Sequence, residues 1–191
     1  MLHTLTRTVL ALALAIAPVL PATAQDDNIG WVNGDGAALP DTDTRKSSGG
    51  FGGMLVVTPD TDWETKWRAR DKQKPRFTAA DKVKVGEVLT ILPLFTNPKL
   101  DDKGYARIRC DLRVLRPDGS VSVEQNNLDC FTYNFAGTGV NLRGIFKTVV
   151  VPTYIGEAED PRGDWEVDLT LRDVVRGVEV PLTTTFTLLP E

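Results

Sequence analysis

Histidine is almost missing from this 191-residue chain, and cysteine occurs only twice, at Cys110 and Cys130. The single histidine, His3, falls in a segment that reads as an export leader. Arg7 is followed by an apolar run from Val9 to Leu20 and by the small residues Ala22-Thr23-Ala24. Cleavage near Ala24 removes residues 1–24 and leaves a mature chain without histidine. That excludes Ser-His-Asp and Cys-His catalysis within one chain, and zinc sites of the His-rich kind. Long apolar runs are lacking too. The leader's is shorter than the roughly 20 residues that span a membrane as a helix, and no later run is apolar enough to anchor the chain. No cysteine follows the leader to accept a lipid. Positive charge is also short, with 22 Lys and Arg against 26 Asp and Glu and a net charge of −4. This is a poor match for nucleic acid, which needs a basic footprint, and for anionic lipid, which needs clustered cations. The expectation is a periplasmic or secreted protein with no membrane anchor, no nucleic-acid partner, no metal and no cofactor.

The two cysteines carry the next inference. An oxidising compartment joins such a pair, and closing a loop of this size stabilises by about 3 kcal/mol in the chain-entropy model. A reactive thiol is the weaker reading, because there is no C-x-x-C spacing and no histidine to lower a thiol pKa.

Residues 25–53 have the composition of a flexible N-terminal arm, with seven glycines, five aspartates and only Trp31 and Phe51 as aromatics. Asp35, Asp41 and Asp43 do not fit the spacing of a calcium loop. From 54 to 191 the chain reads as strands. Met54–Thr58 is a short apolar run, and Lys82–Thr96 is a long stretch rich in Val, Leu and Ile in which Pro93 marks an edge or a bulge. Residues 105–115 alternate cleanly, with Ala106, Ile108, Cys110, Leu112 and Val114 on one side and Arg107, Arg109, Asp111 and Arg113 on the other. A turn at Pro117-Asp118-Gly119 leads into Ser120–Val123. Trp165, Val167, Leu169 and Leu171 alternate in the same way, and the chain returns after Arg176-Gly177 through Val178, Val180, Leu182, Thr184, Phe186 and Leu188. Cys130–Phe135 and Leu142–Val151 are further strand candidates. About seven short strands with frequent turns predict an all-β, two-sheet antiparallel sandwich. One short helix is expected near residues 60–68, where acidic residues precede Trp63 and Trp67, four apart on one face.

A resemblance supports this architecture. Gly163-Asp164-Trp165-Glu166-Val167-Asp168-Leu169, followed by Arg172-Asp173, resembles the glycine-x-aromatic-x-valine strand found late in many bacterial extracellular immunoglobulin-like domains. Phe51-Gly52-Gly53-Met54-Leu55-Val56-Val57-Thr58-Pro59, with Trp63 and Trp67, is similar to the opening of a group of uncharacterised exported bacterial proteins. Together these cover most of Phe51 to Leu189. The resemblance implies an immunoglobulin-like sandwich and no particular activity, since such sandwiches host unrelated functions. The cysteines depart from the antibody pattern. Cys130 follows Cys110 by only 20 residues, so their bond is expected to be local rather than to cross the core.

Candidate binding residues fall in two sets. Arg107, Arg109 and Arg113 share a face and could receive a carboxylate or phosphate, although cross-strand pairing with Glu166 and Asp168 is the plainer reading. Trp63 and Trp67 could form a platform for a sugar or peptide, but two such residues on a short helix more often cap a core. Phe131, Tyr133 and Phe135 share a face and read as core. Asp101-Asp102 and Glu157, Glu159 and Asp160 are the acids open to a glycosidase-like mechanism, yet they fall in expected loops. The sequence therefore points to a non-catalytic exported interaction module. It would act through sheet edges and the N-terminal arm on an envelope or extracellular protein or a surface polymer. A carbohydrate- or small-ligand-binding module using Trp63 and Trp67 is the alternative, and a carboxylate-based hydrolase the third. Oligomeric state stays open.

Overall fold

The computed structural model describes residues 30–71 and 75–190. The leader expected at 1–24, and 25–29 of the arm, lie outside the described residues. The chain is an all-β sandwich of two five-stranded sheets with one short helix. The first sheet holds β1 (Arg45–Ser48), β2 (Phe51–Thr58), β4 (Val88–Thr96) and β7 (Ile145–Lys147) in that order. β8 (Thr153–Ile155) pairs with the other end of β4. The second sheet runs β3 (Lys82–Val83), β10 (Val178–Leu188), β9 (Gly163–Asp173), β5 (Tyr105–Leu115) and β6 (Val121–Asn134). All pairs are antiparallel except β3 with β10. The consecutive neighbours β10, β9 and β5 reproduce the G-F-C order of immunoglobulin sheets.

Alternation builds this core. Ala106, Ile108, Cys110, Leu112 and Val114 of β5 are buried, as are Trp165, Val167, Leu169 and Leu171 of β9 and Val180, Leu182, Phe186 and Leu188 of β10. Their inner faces meet Phe51, Leu55, Val57, Leu89, Ile91 and Phe95 of the opposite sheet. At one end the Trp165 and Phe186 rings stack at 6.3 Å with Tyr154 packed against both. Phe51, Phe95, Phe131 and Phe146 fill the other.

Several expectations are corrected. The arm expected to end at Gly53 is part of the domain from Trp31 onward: Trp31 is buried, Phe51 is fully buried, and β1 and β2 form a hairpin. Glycine-rich composition reads as linker, but Gly53 marks a close approach. A Cβ there would meet Val180 Cγ1 of the facing sheet at 2.8 Å and Leu171 Cδ1 at 3.2 Å. The long strand expected over Lys82–Thr96 is two strands in different sheets, divided at Gly86 (φ 80°). Pro93 sits inside β4, opposite Leu55. Its carbonyl accepts from Thr148 N at 3.2 Å, so the side lacking an N–H faces the gap between β7 and β8. The strands expected over Ser120–Val123 and Cys130–Phe135 merge into one, β6 (Val121–Asn134), whose pairing with β5 shifts register three times. Leu142–Val151 contributes only β7, and the described residues form ten strands where about seven were expected.

Cys110 and Cys130 are bonded, with Cα atoms 5.9 Å apart, and neither is exposed. The bond joins neighbouring strands β5 and β6, as the local reading expects. Cys130 is the unpaired residue of a register shift, lying between Asp129 and Phe131, which pair with Arg109 and Ile108.

Backbone bonds lace both seams between the sheets. On one side Thr183 N donates to Asp43 O at 2.9 Å, and Ala80 N, just before β3, donates to Val57 O of β2 at 2.8 Å. On the other, Val149 N donates to Cys130 O at 2.8 Å. Asp173, fully buried at the end of β9, accepts from Lys99 N (2.7 Å), Val175 N (3.1 Å) and Arg176 N (3.0 Å). Arg176 in turn donates to Gly49 O at 2.7 Å and Asn97 O at 3.1 Å, and Asn97 Nδ2 to Gly50 O at 2.7 Å. Three loops are thereby tied to one carboxylate.

Two outcomes test this packing. Gly53→Ala forces a methyl between the sheets and is expected to cost about 1–3 kcal/mol in chemical denaturation. Gly34→Ala, where a Cβ meets nothing within 4 Å, should be nearly neutral. Replacing both Cys110 and Cys130 by serine should lower stability by about 2–4 kcal/mol, read as a fall in melting midpoint with the sandwich retained.

Candidate binding cleft

Adjacent residues on a strand face opposite sides, so Gly53 looks into the core and Gly52 looks out. Against Gly52 lies Trp31: a Cβ there would meet the indole Nε1 at 2.6 Å and Thr96 Cγ2 at 2.7 Å. Trp31 Nε1 donates to Gly53 O at 3.0 Å, which satisfies the one polar atom of a buried ring. Gly30 approaches the backbone of Gly52 just as closely. Bare backbone on β2 thus seats an indole on the outer face of the first sheet. Leu92 and Leu94 of β4 also stand outside the inter-sheet core, yet both are buried.

The helix α1 (Trp63–Arg68) covers part of the same face. Its i,i+4 pairs are Glu64 with Arg68 (2.7 Å) and Asp62 with Lys66 (3.0 Å). Asp62 stands at the N-cap but makes no capping bond. The firmer anchor is Asp60, which pairs with Lys66 at 2.8 Å and accepts from Thr78 N at 2.9 Å. Burial pushes the Asp60 carboxyl up, but the Lys66 and Thr78 hydrogen bonds outweigh it and bring it down to about 2. The helix's two tryptophans part company. Trp67 is buried, with the Arg70 guanidinium 4.8 Å over its ring. Trp63 is half-buried, with the Lys147 ammonium 5.8 Å from its ring.

Between Trp31, Trp67 and β7 opens a cleft of about 590 Å³, within the range of small-ligand sites. Its apolar walls include Phe131, Phe146, Val140 and Ile145, the last two exposed. Thr96 and Asn141 supply polar atoms, and Arg70, Arg143 and Lys147 supply charge. No carboxylate lines it among the described residues. The Lys147 ammonium donates to Thr148 O at 3.0 Å. Burial lowers its pKa; Glu64 raises it and Arg70 lowers it further. Of the two tryptophans named from sequence, only Trp67 lines the cleft. Trp31, Arg70, Arg143 and Lys147 carried no sequence signal, because they come from segments far apart in the chain.

The arginine row lies elsewhere, on the outer face of the second sheet. Arg113 donates to Asp168 at 2.7 Å and 3.2 Å through two nitrogens, and Arg107 pairs with Asp101 at 2.9 Å. Arg109 donates to Asn127 O at 3.1 Å. Asp111 is held by Arg172, whose hydrogen bond keeps its carboxyl below the usual range and more than offsets burial; Arg172 also reaches Glu179 at 2.6 Å. Lys46, Asp111, Arg113, Glu124 and Asp168 border a shallower hollow of about 440 Å³ on that face. Of the aromatic stripe at the end of β6, Phe135 is buried, Phe131 is half-buried against the core and Tyr133 is half-exposed, so only Tyr133 departs from the core reading.

Two of the loop acids, Asp101 and Asp160, are committed to turns. Asp101 accepts from Lys103 N and Tyr105 N, both at 2.9 Å. Asp160 accepts from Tyr154 Oη at 2.9 Å and Glu157 N at 3.1 Å, and burial together with that bond raises the tyrosine's pKa. Asp41 accepts from Ser47 N at 3.0 Å. No group of three or more His, Cys, Asp or Glu that could hold a metal occurs among the described residues.

No family model matches this chain, and no curated protein matches it. Solved structures share weak likeness. An alkylpurine DNA glycosylase, AlkC, from Pseudomonas fluorescens, bound to DNA with an abasic-site analog, is similar over 71% of this chain at 10% identity and a TM-score of 0.39. A family 123 glycoside hydrolase from Clostridium perfringens is similar over 73% at 8% identity and a TM-score of 0.41. This chain spans 29% of the first and 28% of the second. The PKD domain of an M14-like peptidase from a Thermoplasmatales archaeon is similar over 59% of this chain and 90% of its own length, at 15% identity and a TM-score of 0.28. None of these likenesses bears on activity.

The Asp60 anchor sets a pH dependence. Its folded value, about 2, lies below the ordinary 3.8, so its contribution is present above pH 3.8 and is lost as pH falls toward 2. Tryptophan near-UV dichroism should report loosening of α1 across that window. Asp60→Asn should remove this step and leave a weakened helix at neutral pH.

Proposed function

We propose that this chain is a non-catalytic binding module, working outside the cytoplasm, that holds its ligand in the cleft beside Trp31 and Trp67. The observation that carries the reading is the cleft itself: four aromatic side chains from four separate segments, Trp31, Trp67, Phe131 and Phe146, border one opening of ligand size. Such a concentration of apolar wall with a few polar groups is the usual form of a small-molecule site. Engagement of Asp101 and Asp160 in local turns supports a module without a carboxylate-based reaction. The bonded cysteines support an oxidising compartment, and the leader composition of residues 1–24 supports export to the periplasm or beyond.

Strand addition at a sheet edge draws less support. β6 is the longest edge strand, but its three register shifts and the left-handed Asn127 (φ 56°) are features that blunt an edge against pairing. The hairpin of β1 and β2 is built into the sandwich, so residues 45–58 are not a free contact arm.

The test is a panel of sugars, peptides and small organic acids, read by tryptophan fluorescence and by melting midpoint. A binder should shift both in the native protein. Trp67→Ala, checked for retained β-sheet dichroism, should weaken that binder by about tenfold or more. A panel with no effect on either readout, or a binder indifferent to Trp67→Ala and Phe146→Ala, sinks the cleft reading.

A further inference from the structure

Charge is unevenly distributed over this molecule. The chain as a whole is acidic, at −4, and on the outer face of the second sheet three of the four arginines of β5 and β9 have a carboxylate partner: Arg113 has Asp168, Arg107 has Asp101, and Arg172 has Asp111 and Glu179. The cleft departs from this rule. Arg70, Arg143 and Lys147 border it together with no acid among its lining residues. Glu64 lies within electrostatic reach of Lys147, but its carboxylate is bound to Arg68 at 2.7 Å. The Arg143 guanidinium is exposed and has no partner among the described residues. Arg70 spends one nitrogen on Trp67 O at 3.3 Å and its face on the Trp67 ring, which leaves other donors free. Lys147 spends one of three donors on Thr148 O.

Around these cations the walls are apolar. Val140 is 48% exposed and Ile145 39% exposed, beside half-buried Phe131 and Phe146. Exposed aliphatic groups next to unpartnered cations call for a ligand that has both an apolar body and a negative end. Resting on the cleft reading above, we infer that the site selects a small organic carboxylate with an apolar body, its anion held by Arg143 and Lys147 and its body against Phe146 and Ile145. Charge complementarity decides between this and a neutral ligand. A neutral apolar molecule would give the three cations no acceptor, whereas a carboxylate supplies acceptors to guanidinium and ammonium donors at once. Burial already disfavours the charged form of Lys147, and a bound anion reverses that trend.

The experiment is a calorimetric titration of the full mature chain with two acids and their neutral mates: 2-naphthoate against 2-naphthamide, and octanoate against octanamide. The two pairs separate an aromatic from an aliphatic source of the same chemistry. The expected result is that at least one acid binds about tenfold or more tightly than its amide. Its affinity should fall as salt rises, and Arg143→Gln and Lys147→Met should each weaken it by about tenfold with the amide's affinity unchanged. Arg113→Gln, on the other sheet, should change nothing. An amide that matches its acid, or an acid indifferent to both cation substitutions, overturns the carboxylate inference and leaves the cleft reading standing. If all four compounds fail while a neutral ligand from the wider panel binds through Trp67, the inference is again wrong and the cleft reading right. If nothing at all binds, both fall together.

Discussion

The structure turns on two residues without side chains. At Gly52 and Gly53, β2 is pressed from both sides: Trp31 and Thr96 from without, Val180 and Leu171 from within. A methyl on either residue would collide, so the inter-sheet spacing and the seating of Trp31 have the same cause. Because the Nε1 edge of the Trp31 indole rests on that backbone, the outer face of the first sheet is covered at one end and bears a wall. The cleft exists where that wall, the buried ring of Trp67 and the short strand β7 fail to meet. Close packing on one face of β2 and an opening on the other are consequences of one local choice of residue.

Electrostatics divide the molecule differently from packing. On the second sheet, arginines and carboxylates face one another across strands, as cross-strand neighbours do, and such exposed pairs contribute only about 0–1 kcal/mol each. Their service is to keep a broad sheet face polar. Asp173 is another matter. It is fully buried, and the N–H groups of three residues and the Arg176 side chain surround it, so β9, the loop after β4 and the turn between β1 and β2 share one electrostatic centre. The end of the sandwich away from Trp165 is held by this polar knot.

Much of the sandwich is legible in the sequence wherever one face is wet and the other dry. β5 and the β9–β10 hairpin declare themselves through Ala106 to Val114 and Trp165 to Leu171, since period-two alternation is what a half-buried strand must have. α1 is legible for the same kind of reason, in the four-residue spacing of Trp63 and Trp67. The glycine-rich start is not legible. A missing side chain looks alike whether it marks freedom or contact, and only the facing Val180 and Trp31 tell them apart. Nor does the sequence reveal that Lys82–Thr96 changes sheets at Gly86, because a glycine inside a strand-like run reads as a bulge as readily as a crossover. The cleft's cations are invisible for a plainer reason: Arg70 and Arg143 are 73 positions apart in sequence, and nothing local links them.

The laced seams have a mechanical meaning. With Asp43 bonded to β10 and Val57 to Ala80 along one side, and Val149 bonded to Cys130 along the other, the two sheets form something closer to a sewn sleeve than to a pair of leaves. Leaves can be prised apart at an unlaced edge; a sleeve resists that opening along both sides. Tension applied along the strands meets stitches on both sides, and the two sheets carry the load as one body.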